Sequence, residues 1–110
     1  MSASQRNKGA QAEREIAGIL HDLLGGEPIQ RRLSQTRDGG YDLQVAGRIA
    51  VEVKRVETLS LPAALRQVAA AVQADPDVDV GVVVHRRSRQ PWTVSMSVED
   101  FCSLVREALD

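Results

Sequence analysis

Residues 80–84 read Val-Gly-Val-Val-Val, apolar at every position, between Asp75-Pro76-Asp77 and a basic stretch, Arg86 to Gln90. Five residues is strand length, far short of the ~20 a membrane span needs, and a strand apolar on both sides belongs inside a sheet covered on both faces. The flanking patterns supply the cover. A helix is expected over about residues 6–24, where Ile16, Ile19, Leu20, Leu23 and Leu24 recur at helical spacing before Gly25-Gly26. A second is expected from Pro62 to Ala74, with proline suited to its first turn. A third opens at Ser97-Val98-Glu99-Asp100, a capping-box pattern, and is expected to bury Phe101, Leu104, Val105 and Ala108. Strands are expected at about 28–34, 41–46, 48–55 and 80–84, and where Trp92, Val94 and Met96 alternate with Thr93, Ser95 and Ser97. The order is αβββαββα: an α/β domain with a mixed central sheet.

With 110 residues the chain makes one domain, spanning residues 1–110, able to hold one core. No opening pattern reads as a leader, and a single Cys cannot form an internal disulfide, so a cytoplasmic setting, in a bacterial or phage-infected cell, is expected. Three aromatic residues, Tyr41, Trp92 and Phe101, are too few for a platform that coats single strands by stacking. The net charge of −1 hides an asymmetry. Residues 1–55 hold nine Lys/Arg against seven Asp/Glu, and residues 56–110 hold five against eight. Twelve of the fourteen cations are Arg, the side chain that grips phosphate with two hydrogen bonds at once.

Three carboxylates stand where packing alone would not put them. Glu13 projects onto the side of its helix that carries Ile16, Leu20 and Leu24, where a carboxylate is costly to bury unless it is paired; a stripe that simply ends there would leave it solvated. Asp42 lies on the face opposite Leu43 and Val45, and Glu52 and Lys54 on the face opposite Val51 and Val53. A three-residue turn at 46–48 pairs Leu43 with Val51 and Asp42 with Glu52, whereas a two-residue turn at Ala46-Gly47 sets Asp42 among valines. Hydrophobic matching favours the longer turn. Like charges opposite each other are destabilising, unless a divalent cation sits between them. Oxygen donors with no Cys/His set select Mg²⁺ or Mn²⁺. Lys54, on the same face, is placed to offset phosphate charge; the same three residues would otherwise form a salt-bridged surface patch.

Asp42 followed by nine residues and Glu52-Val53-Lys54 resembles the core of the PD-(D/E)XK nuclease superfamily. The opening from Arg6 to Glu15 resembles the first helix of archaeal-type and phage Holliday junction resolvases, in which a helical Glu joins the strand carboxylates. The resemblance spans about residues 6–97 and implies a restriction-endonuclease-like αβββαβ core, followed here by a further strand and a C-terminal helix. It implies that Glu13, Asp42, Glu52 and the Val53 carbonyl ligate Mg²⁺, with Mn²⁺ as substitute, and that Lys54 activates the attacking water. The implied activity is hydrolysis of DNA to a 5′-phosphate and a 3′-hydroxyl. Tyr41 stands where the motif often has Pro, and the 34–40 loop is short for reading a junction. Gln67 matches a glutamine that some relatives carry on the next helix, but periodicity puts it opposite Leu65, Val68 and Val72, among Ala63, Ala70 and Ala71. Ala71 stands where exonucleases of the superfamily have Tyr.

The expected activity is thus a Mg²⁺-dependent deoxyribonuclease selective for branched DNA, homodimeric because cutting two strands takes two sites. A nicking nuclease of the same fold and a catalytically silent DNA-binding module are the alternatives. Phosphate contacts are expected from Arg6, Lys8, Arg31, Arg32, Arg37, Arg55, Gln67, Arg86, Arg87 and Arg89. His21 and His85 lack a spaced partner for a metal, Cys102 reads as a small residue at the core edge, and Trp92 reads as core.

Overall fold

The structure, a computed structural model, describes residues 3–32 and 40–110, with side chains from Gly9 onward. Its elements are α1 (Ala3–Leu23), β1 (Ile29–Arg31), β2 (Leu43–Val45), β3 (Ile49–Arg55), α2 (Leu61–Ala74), β4 (Val80–Arg86), β5 (Thr93–Ser95) and α3 (Val98–Leu109). The strands form one mixed sheet in the order β1-β2-β3-β4-β5. Among the described strands only β3 and β4 are parallel, Ile49 aligning with Val80 and Arg55 with Arg86, and α2 is the crossover that joins them. The first strand is shorter than its sequence pattern, and residues 33–39, with Ser34, Thr36 and Arg37, lie outside the described residues, as do the side chains of Arg6 and Lys8.

Strand alternation divides the core in two. On one face Leu43, Val45, Val51, Val80, Val82 and Val84 pack with Ile16 of α1. On the other, Ala50 and Val83 pack with Ala64, Val68 and Ala71 of α2. A Cβ on Gly81 would stand 3.0 Å from Val72 Cγ2 and 3.3 Å from both Val68 methyls, so glycine lets α2 settle close to β4. The centre of the α2 contact is therefore shifted toward the small side chains. Ala71 is buried in it, while Leu65 and Val72 flank it, and Ala63, Gln67 and Ala70 remain exposed.

The last helix departs from its pattern. No residue of α3 is fully buried; Phe101 is 55% and Val105 39% exposed, and Ala108 and Cys102 are exposed as well. Leu104 alone of the four expected core residues packs against the core. Among the described residues the sheet ends at the three-residue β5, where Val94 is itself half exposed, and no described strand beyond it covers the helix's apolar side. Polar bonds hold α3 in place instead. Ser97 Oγ accepts the Asp100 N–H at 3.1 Å, but the Asp100 carboxylate turns away and accepts the Gly81 N–H at 3.1 Å. Arg48, in the β2–β3 turn, grips Asp79 with two bonds of 2.9 and 2.8 Å and reaches Ser103 and Glu107 of α3.

Candidate active site

The β2–β3 hairpin positions the central residues. Its turn has three residues, with Ala46 and Gly47 both at positive φ (54° and 72°), a geometry Gly47 adopts without strain. The register is Leu43 with Val51, Gln44 with Ala50 and Val45 with Ile49, as hydrophobic matching requires. One step further along, Asp42 stands opposite Glu52. Both are buried, at 6% and 5% exposure. The Asp42 backbone is held on both sides, its N–H donating to Val51 O and its carbonyl accepting the Arg32 N–H, each at 2.9 Å. Its Oδ2 accepts the Val53 N–H at 2.8 Å. Within a regular strand such as β3 the N–H and C=O of one residue leave on the same side, so the Val53 carbonyl also faces the β2 side. Lys54 Nζ lies 3.4 Å from Glu52 Oε1.

Two carboxylates this close cannot both ionise freely. Burial, and then the negative charge of Asp42, push the Glu52 carboxyl up to about 7 against the opposing pull of Lys54. When protonated, Glu52 hydrogen-bonds Asp42. The arrangement stores a proton near neutrality in a place where a cation would serve as well.

Glu13 comes from α1, half buried as its place beside the apolar stripe predicts. Burial and then the Asp42 charge raise its carboxyl above the ordinary range, so it feels the strand pair. It is nevertheless bound to Arg31, whose Nη2 donates to Glu13 Oε1 at 3.2 Å. Among the described residues no three His, Cys, Asp or Glu side chains converge as a metal-holding group. Glu13, Asp42 and Glu52 thus do not form such a group among the described residues, and Glu13 is engaged by Arg31.

The basic residues divide by partner. Arg31 is tied to Glu13, and Arg32 lies over the Tyr41 ring at 5.2 Å, donates to Gln44 Oε1 at 3.2 Å and approaches Asp75. Both side chains are thus engaged within the fold while remaining partly exposed. Tyr41 O–H donates to Asp75 Oδ2 at 2.6 Å; burial and then that bond push the phenol up to about 12, while the same bond, together with the Asp77 N–H, holds Asp75 below the usual carboxylate range. Arg86 stacks on Trp92 at 5.3 Å, and the half-buried indole donates to Glu15 Oε1 at 3.1 Å. Arg55 is half buried at the end of β3, Arg87 and Arg89 are exposed in the loop after β4, and Gln67 is exposed on α2.

Sequence reasoning set His85 aside as a metal ligand and gave it no other role. The β3–β4 register sets it beside Lys54, and its Nε2 is hydrogen-bonded to Ser95 Oγ at 2.8 Å. Without metal-ligand spacing it carried no motif, and only the parallel alignment of β3 and β4 brings it to the lysine. No described helix is long and apolar enough to cross a membrane. No family model, no curated protein and no solved structure matches the chain.

Proposed function

We propose that the chain is a Mg²⁺-dependent DNA endonuclease of the PD-(D/E)XK type, acting as a homodimer on branched DNA. The observation that carries this reading is the buried pair Asp42 and Glu52 on adjacent strands, with Lys54 against one of them. Such a pair costs the fold stability, and hard oxygen donors side by side suit a divalent cation. Asp42, Glu52 and the Val53 carbonyl would hold Mg²⁺, with Glu13 joining when it exchanges Arg31 for the ion. The bound ion supplies Lewis acidity toward a phosphodiester oxygen. Lys54 orients the attacking water and offsets charge that builds on the phosphoryl oxygens. Water oxygen bonds to phosphorus, the P–O3′ bond breaks and O3′ takes up a proton, leaving a 5′-phosphate and a 3′-hydroxyl. Asp42 is fixed for this role by Val53 N–H, which sets its carboxylate orientation before substrate arrives.

The test is cleavage of end-labelled four-way junction, flap, nicked duplex and single strand in Mg²⁺, beside Lys54→Ala. Paired symmetric cuts confined to the junction, and lost in the variant, are the expected result. Cuts spread over several substrates would retain the nuclease and remove the junction selectivity. Binding with no cutting in Mg²⁺ or Mn²⁺ would leave a catalytically silent DNA-binding module.

A further inference from the structure

Beyond Lys54 the sheet opens into a cleft of about 530 Å³ at the carboxyl ends of the parallel strands β3 and β4. Its walls are the segment 56–61, which leads into α2, and the segment 85–93, which leads into β5. The carboxyl ends of parallel strands are where open α/β sheets place ligands, because the crossovers diverge there. The two walls are fastened to each other, since Glu57 Oε1 accepts the Ser88 N–H at 3.0 Å. The floor is fixed too. His85 is held by Ser95, and its register partner on β3 is Lys54.

The lining is of two kinds. Leu59, Leu61 and Pro91 offer apolar surface, while His85, Arg87 and Gln90 offer donors; the one carboxylate among the described lining residues, Glu57, accepts the Ser88 N–H. The start of α2 adds to the second kind. Ser60 at its N-cap makes no side-chain cap bond, and the first turn carries no acidic residue. The positive end of the helix therefore keeps its attraction for an anion. The volume falls within the roughly 300–1,000 Å³ of small-molecule sites and exceeds what a bare phosphate needs. A flat apolar body with a polar edge and a phosphate satisfies all three sets of groups at once.

We propose that this cleft, lined by Leu59, Leu61, His85, Arg87 and Gln90 next to Lys54, receives one unpaired nucleotide of the DNA strand beside the phosphate to be cut. The proposal rests on the nuclease reading for the identity of the polymer, and it gives that reading a source of selectivity. A base stacked in duplex cannot enter without being extruded, at a cost of a few kcal/mol. A base already unpaired at a branch enters without that cost.

The test is equilibrium binding in EDTA, where no strand is cut, by fluorescence anisotropy with the full chain. The probes are a fluorescein-labelled duplex, the same duplex with a single bulged thymidine, and the same bulge with an abasic tetrahydrofuran residue. The thymidine bulge is expected to bind about tenfold tighter than the other two. Thr58→Trp, which fills the cleft from an exposed loop position, is expected to bring all three probes to the duplex affinity. His85→Ala is expected to weaken binding of the bulge alone. Thermal melts of both variants, expected within a few degrees of the wild type, show that the loss is local. Equal affinity for the thymidine and abasic bulges, or a preference that survives Thr58→Trp in a folded protein, overturns the cleft assignment and leaves the nuclease untouched. Failure to bind any of the three DNAs overturns both.

Discussion

Replacing Glu52 with Gln is expected to make the metal-free protein more stable at neutral and alkaline pH and to flatten its response to pH. The wild-type carboxyl is raised from 4.5 to about 7, first by burial and then by Asp42. Below pH 4.5 it is protonated in the folded and unfolded chains alike, and its contribution is fully present. As pH rises through 7 the folded state must ionise a buried group that the unfolded chain ionised earlier, and the contribution is lost. The interval corresponds to a loss on the order of 3 kcal/mol. The amide of Gln keeps the shape and supplies an N–H to Asp42 where the proton was, so the variant escapes this loss. Glu13, shifted in the same direction, leaves a smaller residual slope in both proteins. The Asp75 and Tyr41 shifts do not intrude, since Asp75 acts below its ordinary value of 3.8 and Tyr41 above 10. Urea unfolding in EDTA between about pH 5 and about pH 8.5 reads the effect as a fall of about 1–2 M in the wild-type midpoint. Parallel midpoint profiles for wild type and Glu52→Gln would refute the reasoning, because the proton would then not reside on this pair.

Divalent ions should reverse the ranking: Mn²⁺ or Ca²⁺ at a hundred times its dissociation constant should stabilise the wild type by about 2.7 kcal/mol and the Asp42→Asn/Glu52→Gln double variant not at all. Equal thermal shifts in both would remove the metal site. Gly81→Ala should cost about 1–3 kcal/mol, because the new Cβ meets Val72 and Val68 of α2, and calorimetry of the variant reads this directly. Ile16→Ala should cost about 2–5 kcal/mol, whereas Phe101→Ser should change stability by about 0.5 kcal/mol or less, given that Ile16 is 1% and Phe101 55% exposed. Denaturant titration of the pair tests whether α3 truly lies at the margin of the fold.

The hairpin was legible because strand alternation allows only one turn length that keeps Leu43 against Val51 and Val45 against Ile49. The same parity put Asp42 beside Glu52, and the apolar stripe of α1 put Glu13 half inside. What escaped was whatever depends on neighbours distant in sequence. The amphipathic pattern of α3 says which side is apolar but not whether a strand lies under it, and β5 is too short to provide one. Leucine and valine spacing on α2 concealed the role of Ala64 and Ala71, because close approach at Gly81 favours small residues. Nothing local in the sequence announces Glu13, Gln44 or Asp75 as partners of Arg31 and Arg32, which the sequence marks only as basic residues expected to meet phosphate. Of the cleft beyond Lys54 only the basic stretch Arg86 to Gln90 showed in the sequence, because its two loops are brought together by the parallel alignment of β3 and β4.

That alignment also sets a timetable for folding. β2 and β3 meet across a three-residue turn, so the two carboxylates face each other as soon as the hairpin closes, whereas β3 and β4 wait for the whole α2 crossover to be laid down. At alkaline pH the hairpin closes with two like charges facing each other, and Lys54, on the same strand as Glu52, is the cation that travels with them. Acid, or a divalent ion captured at that moment, removes the repulsion before the long-range pairing begins. The site that spends stability in the finished molecule is, on this timetable, also the place where solution conditions govern how fast the molecule is made.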